Sequence, residues 1–304
     1  MQVLLAGASG ALGGPLTRQL IAAGHQVSGI TRSSQGASRI TQLGGSPIVV
    51  DVMDRDALLR AVEGKTFQAA IHELTALKKA PFRHRDMAQT NALRTKGTAH
   101  LLEAAQATGA RRFLTQSIVF GYGYADHGTT LLTEDSPFGV PHGDALDPHL
   151  AAMVSTEQQA THAQGIEGIA LRYGLFYGAD IDNVAAMLRK RMLPVVRNGG
   201  EIPFIHHEDA AAATVAALHH GRAGRAYNIV DDTPATFRQL VTGIAEHRNA
   251  PRPLVVPQWV LAVAAPYGKA LFGGVSMRVS NARAKNELSW KPKYPSISDG
   301  IQAQ

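Results

Sequence analysis

A glycine-rich turn close to the first residue constrains the fold of this chain more than any other feature. The apolar segment 2–6 has the length of a buried strand, and leucines recur at helical spacing from Leu12 to Leu20. Between the two lie three glycines spaced three apart, Gly7, Gly10 and Gly13. A strand, a glycine turn and a helix in this order are typical of a dinucleotide site, where the helix N-terminus faces the pyrophosphate. A purely structural glycine turn is the alternative.

Strand-like and helix-like segments continue to alternate through the first half of the chain. Short apolar or β-branched segments predict strands at 27–30, 48–50, 69–72 and 112–114, and helices at 54–63 and 86–108 separate them. Helices of this length between short apolar strands predict repeated βαβ units around a sheet buried on both faces. The sequence therefore predicts an α/β fold with a Rossmann-type, doubly wound parallel sheet.

The alternation loosens beyond about residue 175. Helices are expected at 185–191, 208–220 and 237–248, with short strands at 202–205 and 226–230, and the segment 251–294 is punctuated by Pro and Gly. We predict a dinucleotide-binding domain over residues 1–175 and a smaller C-terminal substrate-binding lobe over 176–304. Segments of this lobe can interleave with the sheet.

Composition excludes several classes of protein. The 304 residues include no cysteine, which rules out a disulfide scaffold, thiolate metal ligands and a cysteine nucleophile. The most apolar stretch, 254–275, is interrupted by Pro257, Pro266 and Lys269, so no run reaches the roughly 18 residues that a membrane span needs. No metal site is predicted, because adjacent histidines such as His206 and His207 face opposite sides of a strand. We expect a soluble, cytoplasmic protein.

The net charge of +6 is concentrated near the end of the chain. Residues 251–304 contain seven Lys or Arg and two Asp or Glu, a surplus of five. Nucleic-acid binding would require this charge on one face with exposed aromatic residues, a pattern the segment lacks, so a solvated surface is favoured. A positive field also favours a small anionic ligand.

The residues after the second strand bear on the choice of cofactor. A carboxylate here would accept from the ribose hydroxyl of NAD, but the sequence reads Thr31, Arg32, Ser33. A guanidinium with neighbouring hydroxyls suits a 2′-phosphate, so NADP(H) is favoured over NAD(H). A solvated loop arginine is the alternative for Arg32.

Further motifs occur in a fixed order along most of the chain. They are Asp51-Val52, Asn91 with Gly97-Thr98, Val119-Phe120-Gly121, Leu171-Arg172 with Phe176-Tyr177-Gly178, Phe204-Ile205-His206 before Asp209, and the segment 284–292. Together with the glycine turn they resemble an extended or atypical short-chain dehydrogenase/reductase of the NAD-dependent epimerase/dehydratase family.

The glycine turn and this resemblance predict which residues contact the cofactor. The resemblance places Asp51 and Val52 at the adenine. The full predicted set is Gly7, Ser9, Gly10, Ala11, Leu12, Gly13, Thr31, Arg32, Ser33, Asp51, Val52, Leu74, Thr75, Gln116, Tyr173, Gly174 and Phe176.

The catalytic positions depart from the pattern that the resemblance implies. Family members carry Tyr-x-x-x-Lys, which occurs nowhere in this chain; alignment on Glu157 places His149 at the tyrosine and Met153 at the lysine. Gln116 occupies the family's Ser/Thr position, beside Ser117. We predict Gln116 and Ser117 as donors to a substrate carbonyl and His149 as a candidate proton donor, since imidazole titrates near neutral pH. Alternatively, His149 is exposed at a helix start. Other possible donors, each more often a packing aromatic, are Tyr122, Tyr124 and Tyr173.

Three functions follow from this sequence. The first is an NADP(H)-dependent oxidoreductase, a ketone or carbonyl reductase of a small molecule with an atypical active site. The second is a redox-silent NADP(H)-binding sensor or regulator, and the third is a nucleic-acid-binding relative. The resemblance also implies a possible homodimer through the helices near 86–108 and 148–164.

Overall fold

The computed structural model describes residues 1–77 and 81–304, except for the side chains of Leu261, Val263 and Ala264. Its strands are β1 (Gln2–Ala6), β2 (Gln26–Thr31), β3 (Ser46–Val49), β4 (Ala69–His72), β5 (Arg112–Ile118), β6 (Asp126–Leu132), β7 (Glu167–Tyr173), β8 (Leu175–Tyr177), β9 (Val195–Val196), β10 (Glu201–Ile202), β11 (Phe204–His206), β12 (Ala226–Ile229), β13 (Ala235–Thr236), β14 (Val255–Val256) and β15 (Ser276–Val279).

The helices separate and flank these strands. They are α1 (Gly13–Ala22), α2 (Ser34–Gln42), α3 (Arg55–Val62), α4 (Ala88–Ala92), α5 (Thr98–Ala107), α6 (Asp147–Thr161), α7 (Ile181–Arg189), α8 (His207–His220), α9 (Phe237–His247), α10 (Gln258–Ala264), α11 (Pro266–Phe272), α12 (Ala282–Leu288) and α13 (Ile297–Gln302). Short 3₁₀ turns cover His84–Met87 and Val119–Tyr122, and a π-helical turn at Leu93–Gly97 joins α4 to α5.

Seven parallel strands form the central sheet in the order β12-β7-β5-β4-β1-β2-β3. The chain builds this sheet outward from β1 in both directions, which confirms the predicted doubly wound Rossmann-type fold. The order reverses between β1 and β4, so a crevice for ligands is expected beyond the carboxyl ends of these strands.

Side chains of β1 pack on both faces of the sheet because successive residues of a strand point to opposite sides. Val3 and Leu5 belong to a buried cluster with α1 and α8, whereas Leu4 and Ala6 belong to another with α3 and α5. Such burial explains why β1 reads as a continuous apolar run rather than an alternating one.

Residues beyond 175 contribute both to the central sheet and to a separate apolar cluster. Strand β12 is the edge of the sheet, and α8 packs against α1 on one of its faces. Helix α9 and β15 carry side chains of a third buried cluster, among them Leu240, Ile244 and Met277. The division into two domains at residue 175 therefore stays a prediction. Part of the second predicted domain, strand β12, lies in the central sheet. In the described part of the chain, no helix combines the length and apolar character needed to cross a membrane.

Candidate active site

The glycine turn after β1 is closely packed against backbone. A Cβ atom on Gly13 would lie 2.0 Å from the Gly7 carbonyl oxygen, and one on Gly7 would lie 2.6 Å from the carbonyl oxygen of Glu73. Gly7 also has φ +99°, a conformation that L side chains rarely adopt. The turn is held by a hydrogen bond from the Gly10 amide to the Gly7 carbonyl at 2.9 Å. Glycine is thus required here by the packing of the turn itself.

Helix α1 begins at this turn with its N-terminal groups uncapped. Leu12 stands at the N-cap position, where it makes no side-chain hydrogen bond, and the first turn contains no acidic residue. The first N–H groups of a helix lack intrahelical partners and carry a partial positive charge. Gly10 and Ala11 are exposed beside them. The turn and the start of α1 therefore fit a dinucleotide, whose pyrophosphate would accept hydrogen bonds from the backbone N–H groups of the first turn of α1.

The residues at the carboxyl end of β2 form a basic, hydroxyl-bearing corner. Arg32 is mostly exposed, and its Nη1 lies 3.9 Å from Oδ2 of Asp51. Ser33 caps α2 by accepting the Gly36 amide at 3.1 Å. Sequence reasoning missed Arg39 on α2, whose guanidinium lies 3.5 Å from the Cβ position of Gly14. Recognising it required the position of α2, since Arg39 is separated from the glycine turn in sequence.

The other predicted cofactor contacts lie at the carboxyl edges of neighbouring strands. The Leu74 carbonyl accepts the side-chain amide of Gln116, and Thr75 Oγ1 lies 3.4 Å from Thr90 Oγ1. Val52 is buried, whereas Phe176 is half-buried and stacks on His207 with ring centroids 5.1 Å apart. The backbone of Gly174 packs against Phe204, where a Cβ would lie 2.8 Å from the carbonyl carbon.

Tyr173 is enclosed in the core with a buried carboxyl. Its hydroxyl donates to Glu73 at 2.9 Å and contacts Thr214 Oγ1 at 2.7 Å. Burial raises the pKa of Glu73 to about 8, against a smaller opposing effect of the Tyr173 hydrogen bond. The Tyr173 hydroxyl is therefore used within the protein, and its role toward a cofactor stays a prediction.

Gln116 and Ser117 lie side by side near the end of β5. Both are buried, and they point to opposite faces of the strand. Gln116 reaches across to Leu74 beyond β4. The Ser117 hydroxyl has no hydrogen-bond partner among the described residues. A buried hydroxyl without a partner is uncommon in proteins, so it is a candidate for contact with a bound molecule.

His149 is buried at the start of α6. The alternative interpretation of the sequence, that His149 is exposed at a helix start, is therefore wrong. Its Nδ1 lies 2.9 Å from Nδ2 of Asn91, and its Nε2 lies 3.1 Å from Nδ1 of His84, which stacks on it. Desolvation, followed by the charges of His84 and Arg94, lowers the pKa of His149 to about 4. His149 is therefore neutral near pH 7, with both ring nitrogens engaged.

A buried arginine and two tyrosines complete this edge of the sheet. Arg94 lies on the π-helical turn, and its charge acts on His149, Tyr124 and Tyr267. The hydroxyls of Tyr124 and Tyr267 are 3.1 Å apart, and burial raises the pKa of Tyr124 well above its usual value. Sequence reasoning missed Arg94, His84 and Tyr267, because they come together only through the packing of α11 and the 3₁₀ turn around His149.

Glu157, on which the sequence alignment of the catalytic positions rested, is engaged in a buried ion pair. Its carboxylate accepts from Nη2 of Arg172 at 2.8 Å and from Nε of Arg172 at 2.9 Å. Arg172 also donates to the Tyr122 hydroxyl at 3.0 Å. The pair ties α6 to β7 and thereby holds His149 at the edge of the sheet.

Comparison with known proteins gives a consistent result. The model of the NAD dependent epimerase/dehydratase family matches residues 3–230. A 3-diazoavenalumate denitrifying reductase of a Streptomyces species is 37% identical over 99% of both chains. A 2-alkyl-3-oxoalkanoate reductase of Stenotrophomonas maltophilia is 29% identical over 83% of this chain and 77% of the relative.

Solved structures share the fold at lower identity. A UDP-glucose 4-epimerase of Thermus thermophilus in complex with NAD superposes with a TM-score of 0.78 at 20% identity, covering 99% of this chain and 98% of the other. The reductases among the relatives support an oxidoreductase. With a family model matching more than half of its length and a 37% identical relative matching nearly all of it, the chain belongs to the NAD-dependent epimerase/dehydratase family, as its ordered motifs predicted.

Proposed function

We propose that the protein is an NADP(H)-dependent carbonyl reductase that acts on a small molecule without a Tyr-x-x-x-Lys pair. The observation that carries this proposal is the Ser117 hydroxyl, buried without a described partner at the carboxyl end of β5. The relatives support reduction, and one is named for an oxoalkanoate, which contains a ketone.

The cofactor would be held by the glycine turn and the corner beyond β2. The α1 amides suit the pyrophosphate, while Arg32, Ser33 and Arg39 supply positive charge and hydroxyl groups for a 2′-phosphate. The absence of an acidic residue at 31–33 favours NADP(H), because no carboxylate there would repel the phosphate. When bound, the nicotinamide supplies a hydride.

The end of β5 would stabilise the product of hydride addition. The Ser117 hydroxyl would donate to the carbonyl oxygen, whereas Gln116, on the opposite face of the strand, would offer the cofactor its second N–H, beyond the one given to Leu74. Donors placed where negative charge develops typically contribute about 10²–10³ in rate. The alkoxide is basic enough to take its proton from water, so a tyrosine acid is not required.

His149 would serve this site through its position and its neutral charge. Reduction of a carbonyl consumes one proton, and His84 is only half-buried, so we propose that a proton from solvent enters at His84 and moves inward to Nε2 of His149. His149 then releases a proton from Nδ1 as its contact with Asn91 opens, and this proton replaces the one that water gives to the alkoxide. The proposed catalytic residues are therefore Gln116, Ser117 and His149.

Transfer of deuterium tests the proposal directly. We expect [4-²H]NADPH of the reactive face to label the carbinol carbon of reduced ethyl benzoylacetate, measured by mass spectrometry. Ser117→Ala should lower kcat by about a hundredfold without changing the Kd of NADPH. Ser155→Ala, a half-buried serine on α6, is the matched control and should change neither.

One outcome would favour the second candidate function. The missing Tyr-x-x-x-Lys pair and the fully engaged His149 are the observations that point to a redox-silent NADP(H) sensor. Tight NADPH binding with no deuterium transferred to any of a panel of aryl and alkyl ketones would reject the reductase and support the sensor.

Nucleic-acid binding has less support from the structure. Several cations of the basic segment 251–304 are already paired with acidic side chains. These pairs are Arg278 with Glu201, Arg283 with Asp135, and Lys285 with Asp232. Paired cations have less charge to offer to phosphates, which disfavours nucleic-acid binding.

A further inference from the structure

Arg94 lies at the same edge of the sheet as the proposed catalytic residues. It belongs to the π-helical turn Leu93–Gly97, and only 5% of its surface is exposed. The turn is fixed in place: the Leu93 carbonyl lies 3.3 Å from Nε2 of His72 at the end of β4, and Thr98 Oγ1 donates to the Arg94 carbonyl at 2.8 Å. π-helical turns within α-helices are frequent at functional sites.

The guanidinium of Arg94 is buried with unsatisfied donors. Its Nε and Nη1 have no hydrogen-bond partner in residues 1–77 and 81–304, and no carboxylate of those residues forms an ion pair with it. The groups near it are Tyr124, Tyr267, His149 and His72, none of which carries a negative charge near pH 7. Burying a guanidinium without partners costs several kcal/mol, because it remains charged.

Arg172 shows how this fold treats an arginine whose role is structural. It is buried to a similar extent, 7% exposed, yet it donates to both carboxylate oxygens of Glu157 and to the Tyr122 hydroxyl. Within residues 1–77 and 81–304, no comparable partner contacts Arg94. The contrast indicates that the described residues do not supply the partner of Arg94, a role that a bound anion would fill.

The surroundings of Arg94 restrict the chemistry of that anion. The guanidinium offers parallel N–H groups that match the two oxygens of a carboxylate. His149 is neutral near pH 7, so among the described residues of this cluster Arg94 carries the positive charge, which suits a monoanion better than a phosphate dianion. The rings of His84 and His149 stack, and Tyr267 meets both of them edge to face, so aromatic rings lie close to Arg94.

We infer that Arg94 binds the carboxylate of the substrate, so that the substrates are oxo acids held by Arg94 at one end and by Ser117 at the reacting carbonyl. This inference rests on the proposed function for the carbonyl. The carboxylate site itself depends only on Arg94 and its neighbours, so binding can test it without turnover.

Calorimetric titration of the NADP⁺-loaded protein with 3-phenylpropanoate tests the site. The neutral 3-phenylpropanamide and the dianionic 2-phenylethyl phosphate are the comparison probes. We expect the carboxylate to bind at least about tenfold more tightly than either. Arg94→Gln should weaken binding of the carboxylate by about a hundredfold while leaving the weak binding of the amide unchanged.

Two further variants separate the charge from the fold. Lys96→Gln removes an exposed cation from the same π-helical turn and should leave carboxylate binding unchanged. Arg94→Lys keeps the charge but not the paired N–H groups, and should lose about tenfold. If circular dichroism shows that Arg94→Gln does not fold, the carboxylate affinity of Arg94→Lys provides the test instead.

Several results would overturn the carboxylate site. These are equal binding of amide and carboxylate, tighter binding of the phosphate, no binding of the carboxylate at millimolar concentration, or full binding by Arg94→Gln. Failure of the reductase would look different, because carboxylate binding would then survive while deuterium transfer to ethyl benzoylacetate and to benzoylacetate was absent. If both hold, Arg94→Gln should lower kcat/KM for benzoylacetate by at least about tenfold more than for its ethyl ester.

Discussion

Arginine has three different environments in this protein, and each implies a different role. Arg172 is buried and fully paired, and it joins α6 to β7. Arg94 is buried with unsatisfied donors beside His149. Arg32 is mostly exposed and only loosely paired with Asp51 at 3.9 Å. Exposed pairs contribute little to stability, so Arg32 is free to be recruited by a ligand.

The preference for NADPH is tested at Arg32 and Arg39. Replacing either with Ala should raise the Kd of NADPH by about tenfold and leave the Kd of NADH within twofold, because only NADPH carries the 2′-phosphate. Fluorescence titration of both cofactors measures this difference. Arg252→Ala is the matched control, since Arg252 is another exposed arginine that pairs with Glu246. Equal losses for NADH and NADPH would contradict a 2′-phosphate site.

At the scale of elements, the ends of helices and strands provide the chemistry. Helix α1 starts without a cap or an acidic residue, whereas α2 and α3 are capped by Ser33 and Asp54. The segment from α4 to α5 was predicted as one helix over 86–108, and the structure interrupts it with a π-helical turn. That turn adds a residue to one helical turn and places Arg94 near His72, at the end of β4.

The close packing of the glycine turn can be tested with two neighbouring glycines of α1. Gly13→Ala should lower the free energy of unfolding by about 1–3 kcal/mol and weaken NADPH binding, because its Cβ would meet backbone at 2.0 Å. Gly14→Ala is the control: its nearest contact is a flexible arginine end at 3.5 Å. Denaturant unfolding and cofactor titration measure both effects. Equal behaviour of the two variants would refute the packing argument.

At the scale of the whole molecule, the parallel sheet collects distant segments at one edge. Residues from α1, β4, β5, the π-helical turn, α6 and α11 meet beyond the carboxyl ends of the strands. Such an edge is where ligands of doubly wound sheets bind. The homodimer through the helices near 86–108 and 148–164 stays a prediction.

Buried titratable groups make stability depend on pH in two opposite ways. Burial lowers the pKa of His72, His149 and His206 to about 4. The contribution of these neutral histidines to the free energy of unfolding is therefore complete above pH 6.5 and is lost as the pH falls toward 4. Burial raises the pKa of Glu73 and Asp231 to about 8. The contribution of these protonated carboxyls to the free energy of unfolding is therefore complete below about pH 4 and is lost as the pH rises to 8. Between pH 4 and 6.5 the three histidines outweigh the two carboxyls, and above 6.5 only the carboxyl loss continues, so stability from these groups should be greatest near pH 6.5.

Glu73→Gln isolates one of these groups. Between pH 6.5 and 8 the unfolded Glu73 is ionised while the folded carboxyl retains its proton, so the wild type should lose stability as the pH rises. The variant should lose about 1.4 kcal/mol less per pH unit over this window. Denaturant unfolding at several pH values measures the slopes, with the exposed Glu167→Gln as control. Parallel slopes in wild type and Glu73→Gln would show that Glu73 does not titrate as inferred.

The sequence by itself determined the sheet, the glycine turn and the family, because these depend on local patterns. A buried strand such as Gln2–Ala6 needs a continuous apolar run, and the turn after it needs glycine where backbone meets backbone. Gln116, Ser117 and His149 could be named from their spacing to Gly121 and Glu157. Their partners could not be named in this way.

Only the tertiary structure decided which side chains meet at the site. Arg94, His84 and Tyr267 carry no local pattern, and Tyr267 lies more than a hundred residues from His149 in the chain. Whether a buried arginine is satisfied depends on every element packed around it, and this separates Arg94 from Arg172 although both are the same residue type. Burial and partner geometry arise from long-range packing. The residues around Arg94 that we propose to bind the substrate could therefore be recognised only in the folded molecule.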